Sequence, residues 1–176
     1  MHHPFVSVCL VLACSSATLA ADLFVLPDGN MDSLPTKGMQ VYEPPATKGQ
    51  ATVAVDTANP ARGSGSLKIA CDSGEYVSVS FPMSNTRTTG RARVYLRGEL
   101  TNAEQITIGV QSFTMAEGFK SISLIPVLDA KARIGTDWQH LTVDLKRDAA
   151  ATHWQLSFVL KGPGVLWIDH LEEVVE

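Results

Sequence analysis

Low charge content and the absence of a basic excess exclude several classes of protein. Charged residues make up 18% of the 176 residues and apolar residues 45%, so the chain is too apolar for a disordered protein. The 14 Lys and Arg residues are outnumbered by 18 Asp and Glu residues, giving a net charge of −4. That is the wrong sign for a general nucleic-acid binder. No apolar run of about 18 residues follows the first segment, which predicts no transmembrane helix in the mature chain.

Cysteine is also scarce. If the two N-terminal cysteines of the three are removed with an export signal, Cys71 remains alone. A lone cysteine forms no internal disulfide. Because Cys71 ends the strand-like stretch 67–71, we expect it to be a small buried apolar side chain rather than a nucleophile.

Residues 1–20 are typical of a secretory signal. An apolar run from Val6 to Ala13 precedes small residues, and Thr18 and Ala20 predict cleavage after Ala20. The expected organisation is a signal peptide over 1–20 and one domain over 21–176. The expected location is secreted, or in the periplasm or cell envelope of a bacterium.

A second processing route stays open. Residues 11–14 (VLAC) resemble a bacterial lipobox, although Leu12 is large for its position. In that case Cys14 would be lipidated and would tether the protein to a membrane.

Alternation of apolar and polar residues with period two dominates the rest of the chain. The clearest runs are 76–81, 91–97, 105–111, 141–145 and 154–160. Successive side chains of a strand point to opposite faces, so each run predicts a strand with one buried and one wet face. Turn signals such as 63–65 (GSG) and 162–164 (GPG) separate the runs. This pattern predicts an all-β, two-sheet antiparallel β-sandwich.

Five segments carry a family resemblance. They are 26–32 (LPDGNMD), 63–69 (GSGSLKI), 138–145 (WQHLTVDL), 156–160 (LSFVL) and 162–169 (GPGVLWID). Their order and spacing resemble those of the carbohydrate-binding-module jelly rolls of the galactose-binding-like superfamily. The opening segment departs from the family pattern, with Met31 in place of Phe and Asp32 in place of Glu.

The resemblance implies a jelly roll of eight or more strands that binds a glycan or another surface polymer. It also implies a structural Ca²⁺ at one edge of the sandwich, held by Asp32, the backbone around Gly63, and Asp169. Carboxylate and carbonyl oxygens are suitable Ca²⁺ ligands. The alternative is that Asp32 is a turn residue and Asp169 caps a local backbone group.

A polar face on the central runs is the candidate ligand surface. Its members would be Arg93, Tyr95 and Arg97, together with Gln111 and His140 if their strands are neighbours in one sheet. Guanidinium groups bind carboxylate or sulfate, so such a face would suit an acidic polysaccharide. The alternative is an ordinary solvated sheet face.

The three tryptophans receive separate predictions. Trp154 is in phase with Leu156 and Phe158, which predicts a core position. Trp138 opens a strand, where it would cover the sandwich. The face on which Trp167 lies stays undetermined, because its strand is apolar on both sides.

Sequence patterns of known enzyme classes are missing. There is no paired-carboxylate strand of the glycoside-hydrolase type, no metal-ligand spacing of histidines and no nucleophile elbow. Together with this absence, the family resemblance implies an exported, non-catalytic carbohydrate-binding module whose partner is a polysaccharide or surface glycan. A structural or protein-interaction sandwich of the cell envelope is the alternative, and a polysaccharide hydrolase or lyase is a third possibility.

Overall fold

Regular structure in the described part of the chain is almost entirely β-strand. The computed structural model describes residues 23–24, 29–34, 38–45, 48–72, 75–128 and 134–174. This part of the chain contains one 3₁₀ helix, Ala103–Gln105, and ten strands. The strands are β1 (Gln40–Tyr42), β2 (Ala51–Asp56), β3 (Ser66–Cys71), β4 (Tyr76–Pro82), β5 (Thr89–Leu100), β6 (Ile106–Thr114), β7 (Lys120–Pro126), β8 (Gln139–Lys146), β9 (His153–Lys161) and β10 (Gly164–Glu173).

The ten strands form two five-stranded sheets. The first sheet has the order β1-β4-β9-β6-β7, and the second has the order β2-β3-β10-β5-β8. Every strand pair in both sheets is antiparallel. The chain passes repeatedly from one sheet to the other, so consecutive strands often belong to different layers. The predicted all-β, two-sheet antiparallel sandwich is confirmed.

The core lies between the sheets and follows the predicted alternation. In β4 the side chains of Val77, Val79 and Phe81 are fully buried. Phe81 meets Phe158 of the neighbouring β9 edge to face, with ring centroids 5.7 Å apart. Edge-to-face contact places the positive ring edge against the negative ring face, which stabilises the pair beyond its buried area.

Two further core predictions are confirmed. Trp154 is buried in the core, and its indole N–H donates to the carbonyl oxygen of Ser84 at 2.9 Å. Cys71 is a buried thiol at the end of β3.

A capped 3₁₀ helix carries the chain from the second sheet to the first, between β5 and β6. The side-chain oxygen of Asn102 accepts the N–H of Glu104, and that of Gln105 accepts the N–H groups of Thr101 and Asn102. These bonds satisfy the free donors of the turn. The crossing corrects one expectation: β6, with Gln111, does not lie beside β5, because the two strands are in opposite sheets.

The predicted signal peptide, its cleavage point and the lipidation of Cys14 lie outside the described residues. No helix within the described ranges is both long and apolar enough to cross a membrane.

Candidate functional site

A groove crosses the outward face of the first sheet. Its floor includes small residues of two adjacent strands: Ser80 of β4 is the register partner of Ser157 of β9, and both line the groove. The two serine hydroxyls are buried and hydrogen-bonded to each other at 2.9 Å. Gly109, the partner of Ser157 on β6, does not line the groove, because a Cβ there would lie 2.9 Å from the carbonyl oxygen of Ile125 and β7 covers this position. The short side chains of Ser80 and Ser157 leave a trough on this face of the sheet.

One wall of the groove is aromatic. Tyr42 of the edge strand β1 and Tyr76 of β4 have ring centroids 6.0 Å apart, with their planes inclined at 34°. Tyr42 is 53% exposed, so this ring is open to solvent. Lys161, the last residue of β9, is the cross-strand partner of Tyr76 and lines the same wall.

The opposite wall combines amides with apolar side chains. Gln155 of β9 donates from its amide nitrogen to the amide oxygen of Gln111 on β6 at 2.6 Å. Leu124 of β7 is the register partner of Gln111. Phe119, 60% exposed, stands beyond them with its ring 5.1 Å from that of Phe113.

The resulting cavity has a volume of about 720 Å³ and touches all five strands of the sheet. Its lining residues are Gln40, Tyr42, Tyr76, Ser78, Ser80, Gln111, Phe119, Leu124, Gln155, Ser157, Val159 and Lys161. Ring faces suit the C–H surface of a sugar, and amides and hydroxyls suit its hydroxyl groups. This combination of apolar and polar groups is therefore chemically suited to a sugar chain.

The Tyr76 phenol is partly buried. Desolvation raises its pKa above the ordinary value of 10.0, and the neighbouring Tyr42 and Glu75 act in the same direction. Neutral pH lies well below even the ordinary value, so Tyr76 is a hydroxyl that both donates and accepts hydrogen bonds.

Four of the five predicted ligand residues lie together on the outward face of the second sheet. Tyr95 of β5 stacks on His140 of β8, its register partner, with ring centroids 4.5 Å apart. The Arg62 guanidinium lies 5.5 Å from the Tyr95 ring centroid and donates to its hydroxyl at 3.2 Å. Arg93 is exposed and pairs with Glu172 at 3.6 Å.

Arg97 completes this set and is enclosed by indole rings. Its guanidinium lies 4.1 Å from the ring centroid of Trp167 and 5.2 Å from that of Trp138. Trp167, whose face the sequence left undetermined, points outward and donates to the Asp56 carboxylate at 2.7 Å. Trp138 donates to the carbonyl oxygen of Asn59 at 2.9 Å. A ligand role for Arg93, Tyr95, Arg97 and His140 stays a prediction, and none of the four lines the groove.

Gln111, the fifth predicted residue, lines the groove instead. Sequence reasoning missed its companions, although a signal was present. In the run 76–81 the face opposite the core residues carries Tyr76, Ser78 and Ser80, and in 154–160 it carries Gln155 and Ser157. Both polar faces were visible as alternation, but their pairing in one sheet was not.

The three predicted metal-site residues meet at the loop 61–65. Asp32 accepts the N–H of Ser64 at 2.5 Å and that of Gly65 at 3.0 Å, and these bonds lower its pKa. Gly63 has φ +61°, and a Cβ there would lie 2.9 Å from the Asp32 carboxyl carbon. The loop thus wraps closely around this carboxylate.

Asp169 approaches the same loop from β10. Its side chain is fully buried, and one carboxylate oxygen accepts the N–H groups of Ala61 and Arg62 at 2.7 and 2.9 Å. Burial raises the pKa of this carboxyl.

The other Asp169 oxygen, Oδ1, is buried and has no hydrogen-bond partner among the described residues. An unpartnered buried carboxylate oxygen is costly and suits a cation. The described residues contain no cluster of three or more His, Cys, Asp or Glu side chains, so Ca²⁺, which prefers six to eight oxygens, would need carbonyl and water ligands as well. The Asp32 and Asp169 carboxylates both accept backbone N–H groups of the loop, as the alternative interpretation of the sequence expected, and Ca²⁺ binding at the unpartnered Asp169 oxygen stays a prediction.

Solved structures share this architecture. The CBM22-1 xylan-binding domain of Paenibacillus barcinonensis Xyn10C is 12% identical with a TM-score of 0.60, over 88% of this chain and 96% of that one. TmCBM61, solved with β-1,4-galactotriose, is 12% identical with a TM-score of 0.52, over 89% and 100%. The chain has the fold of the carbohydrate-binding modules. The fold implied by the sequence resemblance is thereby confirmed.

Two further findings restrict the comparison to the fold. The enzymatically active domain of bacteriophage CBA120 tailspike protein 4 also matches, at 11% identity and a TM-score of 0.52, over 78% of this chain and 19% of that one. No family model and no curated protein matches the chain. The likeness is therefore one of fold, and one fold serves many roles.

Proposed function

We propose that the chain is a non-catalytic module that binds a polysaccharide in the groove of the first sheet. The observation that carries this proposal is the trough across five strands, in which tyrosine and phenylalanine rings face amides and hydroxyls. Two structures of the same fold support it, since one is a xylan-binding domain and the other was solved with a galactotriose.

The chemistry of the lining supports binding without catalysis. Among the described residues that line the groove there is no carboxylate and no histidine. Glycoside hydrolysis ordinarily requires two carboxyl groups flanking the scissile bond, one to protonate the leaving oxygen. Polysaccharide turnover would contradict this part of the proposal, and assays for new reducing ends and for unsaturated products would detect it.

A glycan array followed by calorimetry tests the groove. Two variants form a matched pair: Tyr76→Ala removes a ring from the groove, and Tyr95→Ala removes one from the outward face of the second sheet. Covering one face of a tyrosine ring removes roughly 60–80 Å² of apolar surface from water, worth about 1.5–2 kcal/mol. We therefore expect affinity to fall by about 10–30-fold in Tyr76→Ala and by less than about twofold in Tyr95→Ala.

Two other outcomes would contradict binding in the groove. Loss of binding in Tyr95→Ala alone would move the ligand to the face of Arg93, Tyr95, Arg97 and His140. No binding to plant, algal or microbial polysaccharides would favour a structural or protein-interaction module of the cell envelope.

Export is part of the same proposal. The signal-like segment 1–20 supports a secreted, periplasmic or cell-envelope location in a bacterium, where extracellular polysaccharide is accessible. Intact-mass measurement of the protein recovered from a bacterial host tests this, since cleavage after Ala20 and acylation at Cys14 leave different N-termini.

The proposal also includes a structural Ca²⁺ ion at the loop 61–65. At about a hundredfold excess over its dissociation constant, a saturable ion adds roughly 2.7 kcal/mol to the free energy of unfolding. We expect melting to shift upward with Ca²⁺ relative to chelator, and the shift to disappear in Asp169→Asn. The control Asp144→Asn changes an exposed carboxylate of β8 and should retain the shift. An identical melting temperature with Ca²⁺ and with chelator would eliminate the site.

A further inference from the structure

The groove carries one charge in a chain of the opposite sign. Acidic residues outnumber basic ones by 18 to 14, yet Lys161 is the single charged side chain among the described residues that line the groove. The positive charge therefore belongs to this site and does not follow from the overall composition.

Lys161 stands beside the aromatic wall. It is the cross-strand partner of Tyr76, and directly opposed residues of adjacent strands have Cβ atoms about 5 Å apart. A sugar ring lying against Tyr76 would present its ring substituents at its edge, within reach of the flexible lysine stem. The exposed position leaves the ammonium group free to follow such a substituent.

The ammonium group of Lys161 forms no ion pair with a carboxylate of the described residues. Glu75 is the acidic residue next to Tyr76 in the chain, and it does not line the groove. Lys161 lies beside the aromatic wall and has no ion-pair partner among the described residues. Its ammonium group is therefore available to an anion on the ligand.

We propose that the groove prefers polysaccharides whose sugars carry an anionic group, a carboxylate or a sulfate ester, and that Lys161 binds that group. This inference rests on the proposed function, because it names the chemical class of glycan for the same groove. An ammonium group acts as a point charge, so it recognises either anion without a fixed fork geometry.

Matched polymers test the preference. Calorimetry would compare glucuronoxylan with its carboxyl-reduced product, and a sulfated galactan with its desulfated product, on the purified protein. An exposed ion pair contributes up to about 1 kcal/mol, so we expect the anionic member of at least one pair to bind about three- to fivefold more tightly at low salt. Screening should reduce this preference at high salt.

The variant Lys161→Gln should abolish the preference, because it lowers affinity for the anionic polymers more than for the neutral ones. The control Lys120→Gln removes the same charge from β7 of the same sheet, outside the groove lining, and should retain the preference. A preference in the glucuronoxylan pair would indicate a carboxylate ligand, and a preference in the galactan pair would indicate a sulfate ester.

Three results would overturn the inference while leaving the proposed function intact. These are equal binding of charged and neutral polymers, a preference that persists in Lys161→Gln, and an equal loss of affinity for both polymers in that variant. Absence of binding to every polymer would instead refute the proposed function, and the inference with it.

Discussion

Replacement of Arg97 by methionine separates a structural role from a ligand role for the outward face of β5. The guanidinium lies between the rings of Trp138 and Trp167, and Trp167 is held by its hydrogen bond to Asp56. Methionine keeps an unbranched apolar stem and removes the charge and the planar group. The variant therefore removes the attraction between cation and ring and retains most of the packing.

The magnitude follows from the two ring contacts. A cation–π contact contributes about 0.5–1 kcal/mol at an exposed site and about 2 when desolvated. Arg97 is partly buried, and its Nε has no hydrogen-bond partner among the described residues. Because methionine removes that unpartnered N–H, part of the loss is offset. We expect a net loss of about 1–2 kcal/mol, which lowers the melting temperature by roughly 3–6 °C in a chain of this size.

Thermal and urea denaturation followed by circular dichroism measure the loss, and glycan calorimetry on the same samples measures binding. Arg93→Met is the matched control, because Arg93 lies on the same strand face in an exposed ion pair with Glu172. Such pairs contribute about 0–1 kcal/mol, so its melting temperature should barely change. An unchanged melting temperature in Arg97→Met, together with lost glycan binding, would refute the structural role and favour Arg97 as a ligand residue.

Three other predictions concern the core, the loop 61–65 and the groove. Phe158→Ala should lower the free energy of unfolding by about 3–5 kcal/mol in urea titrations, since it empties the centre of the sandwich; a loss below about 1 kcal/mol would contradict its central position. Gly63→Ala should destabilise by at least about 1 kcal/mol, because φ is +61° and the new Cβ meets the Asp32 carboxylate; a neutral result in thermal melting would contradict the loop geometry. The raised pKa of Tyr76 means that the unfolded chain loses this phenol proton before the folded chain does. The corresponding contribution to the free energy of unfolding is fully present at neutral pH and is lost as pH rises above the ordinary value of 10.0. Tyr76→Phe should therefore show a smaller alkaline loss in urea titrations, and an equal loss would count against burial of the phenol.

Local alternation accounts for what was predicted correctly about the strands. Val77, Val79 and Phe81 were assigned to one buried face, and Trp154 to the core, and all four are buried. These assignments succeed because opposite orientation of successive side chains is a property of a single strand. It needs no knowledge of the neighbouring strand.

The sheet that a strand joins cannot be determined from the strand's own residues, and this choice determined where the groove lies. The runs containing Tyr95 and Gln111 look alike in sequence, yet the capped turn at Ala103–Gln105 sends them to opposite sheets. The groove depends on Ser80 of β4 meeting Ser157 of β9 at one level, which is a matter of register. Register is set by contacts between distant segments, so polar faces recognised singly could not be assembled into a groove.

The amino-acid sequence by itself determined that this chain forms half-buried strands, which side of each strand faces the core, and that the layers form a sandwich. It also pointed, through family resemblance, to Asp32, Gly63 and Asp169, which meet at one loop. Only the tertiary structure decided which polar face becomes a groove and which is covered by its own arginine, histidine and tryptophan side chains. The physical reason is that side-chain orientation is encoded within a few residues, whereas the shape of a surface depends on strands brought together from distant parts of the chain.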